Sequence, residues 1–107
     1  MKHLKEQNRL IGMSNIIFSK KATDELVSQA IYIFEQTMNP TKADEFLDTM
    51  KLYITKTLYA FPKIGRPAPE FGEEVRKLIY QRYSILYRIG KNEIEILTLY
   101  RENLPNI

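Results

Sequence analysis

The stretch EEVRKLIYQRYSILYRIGKNEIEILTLY, residues 73–100, decides the fold of this chain of 107 residues. It contains three strand-like runs, at 73–80, 83–90 and 93–100, which are rich in β-branched and aromatic residues. Gln-Arg separates the first two runs and Gly-Lys-Asn separates the last two, and both spacers are short enough for tight reversals. The stretch therefore predicts a three-stranded antiparallel meander.

Two amphipathic helices are predicted upstream of the meander. The first helix has Ser19 or Thr23 as its predicted N-cap. Its apolar residues recur at helical spacing and form a stripe of Ala22, Leu26, Ala30 and Phe34, which is widened by Val27, Ile31 and Met38. Pro40 ends this helix, and Asn39 followed by Pro40 is a typical start for a second helix, which runs to Phe61. So short a link predicts an antiparallel helical hairpin.

The remaining segments complete one predicted domain. The apolar run at residues 14–18 predicts an N-terminal strand, and the segment at 61–72, with three prolines and two glycines, predicts an ordered connection. We interpret residues 1–12 as a tail and residues 13–107 as a single domain. The chain is thus expected to adopt an α+β fold, in the order N-terminal strand, helical hairpin and three-stranded antiparallel meander.

Composition excludes several classes of protein. Hydrophobic residues make up 44% of the chain and charged residues 27%, which is typical of a globular domain. No apolar run approaches the roughly 20 residues that span a bilayer, so we expect no membrane contact. The chain has no cysteine, so disulfide bonds, a thiolate nucleophile and a zinc site with cysteine ligands are all excluded. We expect a cytoplasmic protein without a cofactor.

Charge is distributed unevenly along the chain. The net charge is +2 over residues 1–13, −1 over residues 14–61 and +2 over residues 62–107. A basic C-terminal half suits an interface with RNA, DNA or an acidic protein. An ordinary solvated surface of mixed sign explains the same numbers equally well.

Most of the usual catalytic groups are missing. His3 is the only histidine and lies in the predicted tail, so a serine triad, a histidine base and a histidine metal site all lack their central residue. The Gly-Arg-Pro turn at 65–67 lacks the lysine and hydroxyl of a phosphate-binding loop. What remains is lysine, arginine and tyrosine, which can position a phosphate and stabilise charge during RNA cleavage.

One face of the meander is predicted to be open. Strand alternation places Ile85 and Tyr87 towards the helices, and Ser84, Leu86 and Arg88 on the other side. We expect this basic, partly apolar face to bind a partner, and an ordinary half-solvated sheet is the alternative.

The candidate partner-binding residues are basic or aromatic and lie in or after the connection: Arg66, Arg76, Arg82, Arg88, Tyr100 and Arg101. Arg66, Tyr100 and Arg101 each have a structural alternative. Arg66 can instead pin its turn by hydrogen bonds to carbonyls, and a strand end commonly carries an arginine beside a half-buried tyrosine. We interpret Tyr83 and Tyr87 as core residues, because alternation turns Tyr87 inward.

The chain resembles the RelE/ParE superfamily of bacterial type II toxins, and ParE most of all. The resemblance extends over residues 14–105 and is carried by four motifs in a fixed order: Gly-Arg-Pro at 65–67, Glu-Val-Arg at 74–76, YSILYR at 83–88 and IEIL at 94–97. It implies a RelE-like fold and a cognate antitoxin encoded nearby.

The resemblance also implies one of two targets. The ParE branch is associated with inhibition of DNA gyrase, whereas the RelE branch cleaves mRNA on the ribosome with a strand arginine and a C-terminal tyrosine or histidine. Here Ser84 replaces that arginine, and nothing after Arg101 supplies the tyrosine or histidine. We therefore expect a gyrase-binding toxin, with a ribosome-dependent endoribonuclease as the alternative. A toxin that has lost its activity and kept its antitoxin is a third hypothesis.

Overall fold

The computed structural model describes residues 15–102, so the tail predicted at residues 1–12 lies outside the described residues. The elements follow the predicted order: β1 (Asn15–Phe18), α1 (Lys20–Thr37), α2 (Pro40–Ala60), β2 (Arg66–Pro67), a 3₁₀ turn (Pro69–Phe71), β3 (Val75–Tyr80), β4 (Tyr83–Ile89) and β5 (Glu93–Arg101). The α+β fold is therefore confirmed. Two short elements inside the connection were not predicted: the two-residue strand β2 and the 3₁₀ turn.

The sheet has five strands in the order β1-β5-β4-β3-β2. The pairs β3 with β4 and β4 with β5 are antiparallel, which confirms the meander. The first strand lies beside the last, and β1 pairs with β5 in parallel, with Asn15 opposite Glu93 and Phe18 opposite Ile96. Parallel partners need a long connection, and the helical hairpin together with the meander supplies it. The short β2 pairs with β3 at the far edge, where Pro67 is tolerated.

Ser19 fixes the start of α1 to the sheet. Its hydroxyl oxygen accepts a hydrogen bond from the Ala22 N–H at 3.0 Å and donates one to the Leu97 carbonyl at 2.8 Å. Ser19 and not Thr23 is therefore the N-cap. The second bond ties the helix to β5, so this one side chain orients the hairpin against the meander.

Asn39 begins α2 in the predicted way. Its side-chain oxygen accepts hydrogen bonds from the N–H groups of Thr41, at 2.9 Å, and Lys42, at 3.3 Å. Pro40 occupies the first helical position, where its missing N–H costs nothing. Within residues 15–102, neither helix is long and apolar enough to cross a membrane.

The main core lies between the helical hairpin and one face of the sheet. It is formed by the buried side chains of Ala22, Leu26, Met50, Ile54, Leu58, Leu78, Tyr83, Ile85, Tyr87, Ile94, Ile96 and Leu99. The predicted apolar stripe of α1 is buried at Ala22, Leu26 and Ala30 but is wrong at its fourth member, Phe34, and in its widening, because Phe34, Val27, Ile31 and Met38 are all exposed. The sheet and α2 cover only the side of α1 that carries Ala22, Leu26 and Ala30, and the other apolar side chains face away from them.

Tyr87 joins the core to the proline-rich connection. Its ring is fully buried, and its hydroxyl donates to the Pro62 carbonyl at 2.6 Å and accepts from the Gly65 N–H at 3.0 Å. Burial raises the pKa of the Tyr87 phenol above its usual value. A Cβ at Gly65 would lie 2.9 Å from the Lys77 carbonyl oxygen and from the Tyr87 hydroxyl, so only glycine fits there. The prediction that Tyr87 belongs to the core is confirmed.

Candidate partner-binding surface

The second face of the sheet is the one turned away from the helices, and its centre is covered. Ser84 is 0% exposed and Leu86 is 4% exposed, so the expectation of an open face is wrong at these two positions. Leu86 packs with Ala68 and Val75 in a second, smaller core, against which Leu97 and Tyr100 also pack. The connection that carries Ala68 folds over the sheet and removes Leu86 from solvent.

Beside this small core lies a polar cluster, which consists of Lys77, Ser84, Tyr100 and Glu102. The Lys77 Nζ lies 3.4 Å from Glu102 Oε2, and the Ser84 hydroxyl donates a short hydrogen bond to the same oxygen. The Lys77 ammonium also lies 5.9 Å from the centroid of the Tyr100 ring, within the range of a cation–π contact. The charge of Lys77 is therefore already matched by groups of the chain itself.

The surroundings of Glu102 favour its ionised form. The hydrogen bond from Ser84 is the largest cause that lowers the pKa of this carboxyl below its usual value, and the charge of Lys77 lowers it further. The side chain of Lys77 is only 16% exposed. A phosphate or carboxylate from a partner that approaches the Lys77 ammonium would compete with Glu102 for it.

Arg66 lies at the edge of the second face, opposite Lys77 in the β2–β3 register. Its Nη2 lies 2.9 Å from Glu70 Oε2, and its Nη1 donates to the Pro67 carbonyl at 2.8 Å. The hydrogen bond with Glu70 raises the pKa of the guanidinium further above its usual value and lowers the pKa of Glu70. The structural alternative for Arg66 was that it stabilises its own turn by hydrogen bonds to carbonyls, and its bond to the Pro67 carbonyl is a contact of that kind.

Arg76 holds the connection in place from the helix side of the sheet. It lies opposite Tyr87 in the β3–β4 register. Its Nη1 donates to the Gly65 carbonyl through a short hydrogen bond and to the Lys63 carbonyl at 3.3 Å. Arg76 and Tyr87 thus fix the same loop through different main-chain groups.

The three remaining arginine candidates are exposed and lie at two ends of the sheet. Arg88 is near the end of β4, where its Nε donates a long hydrogen bond, 3.4 Å, to the Glu73 carbonyl. Arg82 lies in the turn between β3 and β4, and Arg101 lies opposite Tyr83 at the end of β5. The six candidates therefore do not form one site: of them, Tyr100 belongs to the polar cluster and Arg66 lies beside it.

A β-bulge explains why Lys77, Ser84 and Glu102 were not recognised as one cluster from the sequence. Near the Gly-Lys-Asn turn, β4 and β5 are paired in the register expected for a simple hairpin, with Tyr87 opposite Ile96. Farther from the turn the register shifts by one residue, so Ser84 lies opposite Tyr100. The extra residue in β5 turns Tyr100 and Glu102 towards the second face, whereas an unbroken register would have turned Tyr100 towards the helices. No turn or composition signal in β5 marks the shift.

A cavity and the arrangement of possible metal ligands are two further features of the described residues. A cavity of about 700 Å³ at the end of α2 has an almost wholly apolar lining, formed by Ala60, Phe61, Pro62, Lys63, Ile64, Ile89 and Ile94. In residues 15–102, no group of three or more His, Cys, Asp or Glu side chains is arranged to hold a metal ion.

Comparison with known proteins identifies relatives of this fold. The family model described as the ParE toxin of the type II toxin–antitoxin system parDE matches residues 16–102, which include all five strands and both helices. No curated protein matches the sequence. Among solved structures, a chain of the chromosomal ParDE TA system from P. aeruginosa is similar, with a TM-score of 0.67 and 22% sequence identity. The match covers 86% of this chain and 99% of that chain, and at this identity it shows the fold.

Proposed function

The chain belongs to the ParE family of type II toxin–antitoxin toxins, and on this premise we propose that it inhibits DNA gyrase by binding to it. Gyrase is the target associated with the ParE branch of the superfamily, and binding requires no catalytic group. We further propose that residues 13–107 form the toxin domain and that the protein acts in the cytoplasm, where gyrase and DNA are found.

The polar cluster of the second face is the observation that supports binding over RNA cleavage. A nuclease on this face would need a cation free to stabilise the phosphate and a group able to move a proton. Lys77 is instead paired with Glu102, and Arg66 is paired with Glu70. Ser84, at the position of the strand arginine in the RelE branch, is buried and hydrogen-bonded to Glu102.

Ribosome-dependent mRNA cleavage is the second candidate function. It is favoured by one observation, since Arg66, Lys77 and Tyr100 lie together on one face of the sheet, and arginine and lysine are the side chains that contact a nucleic acid backbone. A phosphate at this site would compete with the carboxylates of Glu70 and Glu102 for Arg66 and Lys77.

Two assays with the purified protein separate these functions. Incubated with gyrase and plasmid DNA, the protein is expected to trap gyrase on DNA, which is detected as linear plasmid after protein digestion. Added to a reconstituted translation reaction, it is expected to leave the mRNA intact. Cleavage of mRNA in the ribosomal A site without an effect on gyrase would refute the proposal and establish the endoribonuclease. Inactivity in both assays, with normal growth after induction, would identify a toxin that has lost its activity.

We also propose a cognate antitoxin as the protein's partner. A toxin that acts in its own host requires neutralisation, and apolar side chains on the outer side of α1 remain exposed for a partner to cover. A disordered segment of a short protein with an acidic tail can fold onto such a surface as it binds. The adjacent gene is therefore expected to encode a protein that co-purifies with this chain.

The exposed arginines at the two ends of the sheet provide a mutational test of the toxic surface. Arg88→Ala and Arg101→Ala are each expected to relieve growth inhibition, because arginine offers a planar fork of donors to a carboxylate or phosphate of the target. Each substitution should change the free energy of unfolding by well under about 1 kcal/mol, since both side chains are exposed. Growth after induction and thermal melting are measured for each variant.

Lys42→Ala is the matched control for this test. Lys42 is also an exposed cation, but it lies on α2, away from the sheet. Its replacement should leave both toxicity and melting temperature unchanged. If the two arginine variants were as toxic as the control and equally stable, the ends of the sheet would not contact the target. Relief by only one of them would locate the contact at that end, because Arg88 and Arg101 lie at opposite ends of β4.

A further inference from the structure

The last turn of α2 ends beside the apolar cavity of about 700 Å³ that is lined by residues 60–64 with Ile89 and Ile94, and which we call the α2-end cavity. Two of its side chains present much of their surface to solvent, since Phe61 is 64% exposed and Ile64 is 51% exposed. Apolar surface gathered in this way around one concave site indicates a place that another apolar group covers.

A second depression continues the α2-end cavity towards the start of β1. It has a volume of about 580 Å³, and its lining includes Asn15, Ile16, Tyr59 and Ala60. Ala60 belongs to the lining of both depressions, so they lie side by side around the last turn of α2. Tyr59 is 45% exposed and adds aromatic surface to the second depression.

The chain enters β1 at the edge of these two depressions. Asn15, the first residue of β1, lines the second depression, and Ile16 lies opposite Ile94 of the α2-end cavity in the β1–β5 register. Residues 1–14 are therefore attached to the sheet beside both depressions. A segment of five residues spans up to about 17 Å, so the residues just before Asn15 are long enough to reach across the end of α2.

The sequence immediately before β1 is apolar. Residues 9–13 read Arg-Leu-Ile-Gly-Met, whereas in residues 2–8 six of the seven side chains are polar or charged. The large apolar side chains next to β1 are Leu10, Ile11 and Met13. Apolar side chains attached so close to exposed apolar surface lower the free energy of the protein when they cover it.

Two other occupants fit the α2-end cavity less well. The C-terminal segment leaves the sheet at its far end, because β5 runs from Glu93 beside the cavity to Arg101, and a strand of nine residues spans about 27 Å. The five residues after Glu102 span at most about 17 Å and do not reach back. A separate molecule lacks the effective concentration, about millimolar, that a short covalent link gives to a segment of the same chain.

We propose that residues 10–13 fold back over the end of α2 and fill the α2-end cavity, with their apolar side chains against Phe61 and Ile64. The inference concerns the chain itself and does not depend on the target or the antitoxin proposed above. It extends the proposed toxin domain at its N-terminal end, from residue 13 to residue 10. The segment then shields apolar surface that would otherwise associate with other molecules.

Nuclear Overhauser effects measured on the full chain test the contact directly. The methyl protons of Leu10, Ile11 or Met13 are expected to show cross-peaks to the ring protons of Phe61, because such cross-peaks require close contact. The methyl groups of Leu4 serve as the control within the same segment and should show none. If no methyl group of residues 10–13 gave a cross-peak to the lining of the cavity, the proposal would be wrong.

A double-mutant cycle in the full chain provides an independent test. Ile11→Ala and Ile64→Ala are each expected to lower the melting temperature by about 3 °C or more. The double variant should lose clearly less than the sum of the two, because each single variant already removes the contact between them. Ile79→Ala is the matched control, since Ile79 is 59% exposed on β3, and its effect should simply add to that of Ile11→Ala. Additive losses for Ile11 and Ile64 as well would contradict the proposal.

Two further outcomes would assign the α2-end cavity to a different occupant. In a mixture of isotope-labelled and unlabelled chains, cross-peaks that join one chain to the other would show that the segment covers the cavity of a second copy. Cross-peaks that appear only after the adjacent gene's product is added would make the cover depend on the antitoxin. Either result would overturn folding of the segment onto its own chain, and neither would affect the proposed action on gyrase.

Discussion

Tyr87→Ala is expected to destabilise the protein by about 3–5 kcal/mol, as replacement of a large buried aromatic residue by alanine typically does. The Tyr87 ring is fully buried between the hairpin and the sheet, so its removal leaves a cavity in the main core. A domain of this size has a total stability of only about 5–15 kcal/mol. The variant should therefore be partly or wholly unfolded at growth temperature and should lose toxicity through loss of the fold.

The hydroxyl of Tyr87 contributes separately from its ring. The hydroxyl accepts a hydrogen bond from the Gly65 N–H and donates one to the Pro62 carbonyl. These two hydrogen bonds fix the connection at two points. Tyr87→Phe keeps the ring and removes both bonds, so the buried N–H of Gly65 loses its partner. We expect a loss of about 1–3 kcal/mol for this variant, smaller than that for alanine.

Urea denaturation of the wild type and both variants measures these differences. The expected order of stability is wild type, Tyr87→Phe, Tyr87→Ala. A phenylalanine variant as stable as the wild type would show that the hydroxyl does not hold the connection. An alanine variant within about 1 kcal/mol of the wild type would show that the ring is not a core residue.

Tyr87 also illustrates which parts of the fold the sequence could predict. Its inward direction follows from alternation along β4, and the meander follows from two short spacers between strand-like runs. Asn39 with Pro40 was enough to locate the start of α2. The Asn39 side chain accepts hydrogen bonds from the first free N–H groups of the helix, and Pro40 has no N–H that would need a partner. These signals are local, and each depends on residues close together in the chain.

Contacts between distant segments could not be predicted in this way. Alternation correctly separates Leu86 from Tyr87 but does not show that Ala68, in the connection, covers Leu86. The polar cluster depends on the bulge in β5, which brings Glu102 to Ser84 and Lys77. The helical period of α1 likewise predicts which apolar residues share a side of the helix, but it does not show that Ile31 and Met38 face away from the sheet.

These unpredicted contacts also bear on the proposed function. A fully open, basic second face would have suited RNA binding, and on the sequence alone that alternative stayed open. The connection and Glu102 instead occupy the centre of the face, and the exposed arginines lie at the ends of the sheet. Surface that a target can contact therefore includes the ends of the sheet and the outer side of α1.

The burial of Leu86 leads to the second large effect that we expect. Leu86→Ala should cost about 2–5 kcal/mol, because Leu86 is 4% exposed and packs against Ala68 and Val75. Ile79→Ala is the matched control, since Ile79 lies on the same face of the sheet and is 59% exposed. Its replacement should change stability by no more than about 0.5 kcal/mol.

The contrast between these two variants decides whether the second face is a core or an open surface. Both remove an aliphatic side chain from the same side of adjacent strands, but only Leu86 belongs to the small core that Ala68 of the connection covers. If Leu86→Ala were as mild as Ile79→Ala in urea denaturation, the connection would not lie closed over the sheet in solution. Lys77 and Ser84 would then be open to a nucleic acid, and the endoribonuclease would become the better hypothesis. A large loss at Leu86 with none at Ile79 supports a closed centre, and with it a toxin that acts by binding through its exposed ends.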